Sequence, residues 1–360
     1  MQYFKIQIMA CFLLLGSISH GQIDTDYESP DTVLVDYFDV FQKVDPDQLE
    51  DPLVMHIEMD LMEFYKVKLK DKSVPANLTV YLQDSILCTK RIKIKPRGEF
   101  RKRHCAFPPV EIKFQKSDTD HIFTQESNKL KLITHCKNIS IYEQYVLKEY
   151  LCYKMYNLLT DYSFRVRLLE IHYIDNKGKK KPVIKYGFIV ESNKSLANRI
   201  NAYPVKLQGI PIDKTDYDIV HIMSVFQFMI GNTDWAVPAL HNVKLYKLMD
   251  PVKFNPVPVP FDFDYSGMVN TDYAIPDKNL NIKTVRQRVY RGYCIPEQDL
   301  REVLKYFEQK KENIYALVNN FEPLDNYHKN EMLKYLDEFY QILATPFKMR
   351  GEIIERCRQL

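Results

Sequence analysis

Between Phe228 and Gly267 the chain reads FMIGNTDWAVPALHN, a strand-like VKLYKLM, a proline-rich link and VPVPFDFDYSG. Asp234 and the Asp262/Asp264 pair stand at the two ends of what reads as a short hairpin, with Asn242 between them and apolar residues on every side. A carboxylate in apolar sequence is costly to bury unless a cation or a strong donor accompanies it. The spacing therefore suits a centre that holds a cation. A plainer reading also fits these residues: Asp234 caps a Gly-Asn-Thr-Asp turn, and Asp-Phe-Asp alternates along an edge strand with both carboxylates in water.

The order Asp, Asn, strand, Asp is the order used in metal-assisted phosphoryl transfer. There one Asp accepts the proton of the attacking hydroxyl, and an Asn with a second Asp holds Mg²⁺ against nucleotide phosphates. The remainder of the chain must supply a phosphate-positioning cation and its carboxylate partner. A helix spanning about Ile139 to Leu159 gathers Tyr142, Tyr145, Val146, Cys152, Tyr153 and Tyr156 on one face at about 100° per residue, with Glu149 in the middle and Lys148 on the polar side. Glu149 needs a cationic partner or a set of tyrosine hydroxyls. Lys131 in KLKLI stands in the place of the partner, with Lys129 and Lys113 as alternates. The segment PRGEFRKRHCAFPP, from Pro96 to Pro109, reads as a loop whose Arg97, Arg101, Lys102 and Arg103 either grip phosphate oxygens or form a solvated basic run.

These elements sit in a recognisable frame. The opening MQYFKIQIMACFLLLGSISHGQ, with one Lys and an apolar run from Ile8 to Ile18, reads as a signal peptide cleaved near Gly21. Cys11 lies inside that run, which argues against lipid attachment there. No later stretch nears the roughly 18 apolar residues of a membrane span. An exported protein, periplasmic or extracellular, is expected. Residues 22–50 are acidic and read as a mobile lead-in. A net charge of +3 over 360 residues argues against nucleic acid as a partner. Six cysteines follow the cleavage site, none in a CxxC. Cys105, Cys136 and Cys294 lie in turn-like surroundings, whereas Cys152 sits in a helical pattern as a buried thiol.

From Leu53 the chain alternates in VMHIEMDL, ANLTVYLQD, TKRIKIKPRG, VEIKF and KLKLI, and after the helix in RVRLLEIHYID and PVIKYGFIVES. Past Gly267, Arg286, Arg288, Arg291, Tyr290 and Tyr293 either line a substrate groove or act as scaffold. Three helices close the chain, roughly Glu297 to Asn320, Asn326 to Leu343 and Lys348 to Gln359.

KIKPRG, PPVEIKF, NISIYEQYVLKEYL, FIVES, GNTDW, HN and PFDFDYSG, in that order over roughly residues 50 to 275, resemble the CotH family of secreted kinase-like proteins and, more distantly, HipA-type and lipid-kinase-type atypical kinases. The resemblance implies an α+β, two-lobed protein-kinase-like fold. A strand-rich N-lobe would occupy residues 51–195 and a helical C-lobe with the metal–nucleotide site residues 196–360. It further implies ATP with Mg²⁺ or Mn²⁺, and transfer of the γ-phosphate to a hydroxyl of a secreted or envelope protein. Asp234 would be catalytic, Asn242, Asp262 and Asp264 metal ligands, and Lys131, Glu149, Arg97 and Lys113 the nucleotide-binding set. A catalytically inactive surface binding protein is the alternative, and a phosphotransferase acting on a small molecule or lipid is a third reading. Protein kinases place about four residues between the catalytic Asp and the Asn, whereas WAVPALH puts seven there. Either the loop bulges or the Asn role lies elsewhere.

Overall fold

The computed structural model describes residues 40–41, 49, 51–83, 85–115, 122–123 and 128–359. The expected signal peptide and nearly all of the acidic lead-in lie outside the described residues. All described residues belong to one unit, Asp39–Leu360.

Alternating apolar residues produce strands wherever the sequence shows them. These are β1 (Leu53–Met59), β2 (Val74–Leu82), β3 (Ser85–Pro96), β4 (Val110–Lys113), β5 (Lys129–Thr134), β6 (Val166–Asp175) and β7 (Val183–Val190). In β1, Leu53, Met55, Ile57 and Met59 are buried while the residues between them are more exposed, the period of two that a one-sided strand requires. Helices α1 (Leu61–Val67), α2 (Glu99–His104) and α3 (Ser140–Leu159) interrupt the strands.

The expected two-lobed kinase-like fold is not the one found. The seven strands close into a mixed barrel in the order β1-β2-β3-β4-β5-β7-β6, with β1 antiparallel to β2 but parallel to β6, Leu53 lying opposite Leu169. Periodicity identifies strands but not their neighbours, and the pairing that closes the barrel joins segments far apart in sequence.

Beyond the barrel come α4 (Asn193–Arg199), β8 (Ala202–Val205), α5 (Tyr217–Met229), β9 (Val243–Leu248) and β10 (Val257–Pro260). β8, β9 and β10 form a separate three-stranded antiparallel sheet within the part expected to be helical. α6 (Glu297–Gln309), α7 (Lys311–Asn319), α8 (Asn326–Ala344) and α9 (Pro346–Met349) follow, so the first of the three anticipated helices is two, broken at Lys310, and the third, expected over Lys348 to Gln359, is α9 continued by a π-helical turn over Arg350–Ile354.

One contact fixes the site segments against each other. Gly267 N donates to Gly231 O at 3.1 Å and Met268 N to Ile230 O at 2.9 Å, tying the loop after α5 to the segment after β10. A β-carbon on either glycine would collide with the Tyr335 hydroxyl of α8, and Gly231 has a positive φ of 64°, so only glycine fits there. Two disulfides, Cys105–Cys136 and Cys294–Cys357, brace the described chain, and Cys152 is fully buried. Among the described residues no helix is long and apolar enough to cross a membrane.

Candidate functional site

Asp234 sits just beyond α5, and the seven-residue spacing that follows it is absorbed by a bulge. Ala236 and His241 exchange backbone hydrogen bonds at 3.0 Å each, and Leu240 and Asn242 both adopt φ of 50°. The loop thus folds back, and Asn242 Nδ2 donates to Asp234 O at 2.8 Å and to its Oδ2 at 2.9 Å. The other carboxylate oxygen, Oδ1, lies 2.7 Å from His241 Nε2. Asp234 N donates to Asn232 Oδ1 at 3.0 Å, so the whole residue is oriented. Both Asn242 contacts to Asp234 use Nδ2, which leaves its side-chain carbonyl for another partner.

The β9–β10 hairpin carries the chain from Asn242 to Asp262. Asp262 also has a positive φ, 64°, a conformation that Asp and Asn tolerate better than most residues. Its N–H donates to the Tyr153 hydroxyl of α3 at 2.8 Å. The Asp262 side chain is 50% accessible, but that surface lines a cavity rather than facing open water. Burial within the cleft and the charge of Asp264 push its carboxyl above the usual carboxylate range.

The cavity measures about 290 Å³ and brings together Asp234, Asn242, Asp262, Asp264, Glu149, Lys131 and Arg97, residues from five separate segments. Of the expected catalytic, metal-binding and nucleotide-binding set, Lys113 is missing: it lies exposed on β4 opposite Lys93 and Lys129.

Two further expectations are corrected. Glu149 does not pair with Lys131. Its partner is Arg101, whose guanidinium lies 3.4 Å from Glu149 Oε2 and 3.9 Å from Asp262 Oδ1 and donates from Nε to Asp264 Oδ2 at 3.0 Å. The second is the segment from Pro96 to Pro109, which contains α2 instead of running as a loop. Gly98 at φ 78° leads into α2, and the Cys105–Cys136 disulfide anchors the helix end, so Arg101 points inward while Lys102 pairs with Glu99 and Arg103 is exposed. Burial disfavours the Arg101 charge, but Asp264 and then Tyr273, Glu149 and Asp262 outweigh it and raise its pKa above the ordinary arginine value. Burial raises Glu149, against the opposing pull of Arg101. Its Oε1 is buried with no hydrogen-bond partner. Lys148 is buried rather than solvated, 3.8 Å from Glu331 on α8.

Asp264 is consumed by structure. Besides Arg101 it accepts from the Tyr273 hydroxyl at 3.0 Å, and its backbone carbonyl accepts from Thr271 Oγ1 at 3.1 Å. Lys131 instead faces Lys244, a residue not anticipated in the sequence. Both ammonium groups stand over the Phe261 ring, at 5.8 and 5.3 Å. Burial, together with Arg97 and Lys244, draws Lys131 down to about 8. The signal for Lys244 was present: it lies two residues past Asn242, at the start of β9. His241, adjoining Asn242, was likewise within reach.

Among the described residues no three His, Cys, Asp or Glu side chains gather as a ready metal site. Arg101 stands between the three carboxylates that come closest. The donors that suit a divalent cation are the Asn242 carbonyl and Asp262; hard oxygen ligands of this kind suit Mg²⁺ or Mn²⁺. No protein-family model matches this chain, and no curated protein matches it.

Proposed function

We propose that this cavity binds ATP with a divalent cation and transfers the γ-phosphate to a hydroxyl of a protein. The observation that carries the reading is the crowding of both signs of charge inside one cavity. Arg97 and Lys244 disfavour the Lys131 charge there, and Asp264 and Asp234 disfavour the Asp262 charge against the pull of Arg101 and Arg97. Like charges held together in a partly dry cleft are costly, and a polyphosphate carrying a metal ion relieves both sets at once. Ile133, Phe164 and Val190 line the same cavity and suit the base.

In the proposed reaction the acceptor hydroxyl oxygen bonds to the γ-phosphorus, the bond to the β–γ bridging oxygen breaks, and ADP leaves with that electron pair. The hydroxyl proton passes to Asp234, held by His241 and Asn242; such acid–base help contributes about 10²–10⁴-fold. Asn242 and Asp262 would hold the cation, which supplies charge neutralisation on the phosphoryl group. Lys131, Lys244 and Arg97 would grip the phosphates, with Arg101 fixing Glu149 and Asp264. The motif order behind the CotH resemblance supports this reading, and the two disulfides support an oxidising, exported setting with secreted or envelope substrates.

Arg101 among the carboxylates favours a second reading: a surface protein that binds a ligand in this cavity without transfer. Labelled ATP incubated with wild type and Asp234→Ala separates the two. Label on acceptor protein in wild type and its loss in the variant supports transfer; equal label in both, or none, opposes it.

A further inference from the structure

A second cavity, of about 470 Å³, abuts the first, and Asp234, His241 and Tyr265 line both. Its remaining wall is largely apolar, with Trp235, Ile275 and Val285, and carries Arg291. Arg291 donates one terminal N–H to the Thr233 carbonyl and rests 5.6 Å from the centre of the Trp235 ring. Its Nε is buried without a hydrogen-bond partner, and so is Nε1 of Trp235, a side chain only 3% exposed. Neither of these two nitrogens reaches the cavity surface, but Arg291 itself lines the cavity, so what the wall offers a ligand is a guanidinium cation among apolar side chains.

The neighbouring arginines are engaged elsewhere. Arg286 and Arg288 lie 4.5 and 3.6 Å from the Tyr335 ring centre, and Arg288 also pairs with Glu338 at 3.1 Å. Of the basic cluster, Arg291 is the member that faces a cavity. Burial lowers its pKa to about 10, which leaves it a desolvated cation at neutral pH. Asp277 and Asp234 line the same cavity and favour the Arg291 charge, but Asp277 Oδ1 accepts from Asn279 N at 2.9 Å and Asn279 Nδ2 at 3.0 Å within its own turn, and Asp234 is held by His241 and Asn242.

We infer that this second cavity is the acceptor site and takes a serine- or threonine-bearing peptide segment with an acidic side chain beside the hydroxyl residue. The hydroxyl lies at Asp234, on the wall shared with the first cavity, and the acidic group lies at Arg291. The role of Asp234 rests on the phosphotransfer reading; recognition of the acidic peptide by Arg291 does not. A carboxylate matches the Arg291 cation, and a charge-assisted contact in a desolvated wall discriminates strongly against an amide.

Trp235 is the single tryptophan of the chain, so tryptophan emission reports directly on this cavity. The full chain is titrated with a short peptide containing Ser-Asp-Glu and with its Ser-Asn-Gln counterpart, without nucleotide. A saturable change in emission for the acidic peptide, at least tenfold weaker for the amide peptide, is expected. The preference disappears in Arg291→Gln and is partly kept in Arg291→Lys. Equal affinity for the two peptides on wild type, or no change with either, overturns the inference whatever the variants do. The two readings fail separately: a chain that binds the acidic peptide but not Mg–ATP loses the phosphotransfer reading and keeps this site. A chain that binds Mg–ATP but neither peptide does the reverse.

Discussion

The Arg101 guanidinium and the Glu149 carboxylate lie 3.4 Å apart, the first half-buried on a six-residue helix and the second fully buried in the middle of a twenty-residue helix. The pair turns a surplus of buried carboxylate charge into a stable wall for the cavity. Removing one member of a buried pair leaves the other uncompensated, at about 3–5 kcal/mol. Arg101→Ala should lose stability on that scale in urea denaturation, and adding Glu149→Gln should recover part of it. Additive losses in the double variant would mean that the two do not act as a pair.

The Cys105–Cys136 disulfide, with a sequence separation of 31, holds the end of α2 beside the start of α3. A loop of that size contributes about 3–4 kcal/mol in the chain-entropy picture. Cys105→Ser should lower stability by that order and also weaken Mg–ATP binding, because Arg101 loses its anchor. Breaking Cys294–Cys357, whose cysteines line neither cavity, should lower stability with little effect on nucleotide affinity. Calorimetric titration of the two variants compares them.

Lys131 and Lys113 differ in a way that the alternating strands did not reveal: one reaches the cavity and the other is exposed on β4. Lys131→Met should weaken Mg–ATP binding about tenfold, or about 1.4 kcal/mol. Lys113→Met should change it less than twofold. Matching losses would remove Lys131 from the site.

His221 is wholly buried in α5 between the Tyr217 and Tyr293 rings, with no hydrogen-bond partner on either nitrogen. Burial draws its pKa down from 6.5 to about 4. The unfolded chain therefore takes the proton first. The stability tied to neutral His221 is complete above about pH 6.5 and is lost as pH falls toward 4, by up to about 3 kcal/mol. His135, drawn down to about 3 mainly by burial, acts in the same direction. His221→Phe should flatten the acid limb of a stability profile; an unchanged limb would show that His221 is protonated in the fold.

Much of this was legible because the signals are local. The strands alternate, α3 has its glutamate amid apolar residues, and the carboxylates stand in apolar sequence. What stayed hidden is non-local or masked by composition. The β1–β6 pairing depends on two distant strands meeting. Residues 219–229 of α5 are nearly all buried, with Ile222 the one exception, so that helix has almost no polar face to set a period. Arg101 lies in RKRH, a run that reads as solvated until α2 turns one arginine inward. Lys131 lines the cavity, but the like charges of Arg97 and Lys244 adjoin it, and Glu149 pairs with Arg101.

Asn242, Asp262, Lys131 and Lys244 line one cavity, which we propose holds a metal-bound triphosphate. Titration calorimetry of ATP into the full chain, with Mg²⁺ and with EDTA, on wild type and Asp262→Asn, tests it most directly. Saturable binding that needs Mg²⁺ and weakens at least tenfold in Asp262→Asn is the predicted result. No binding, or binding indifferent to both Mg²⁺ and Asp262, would contradict the account.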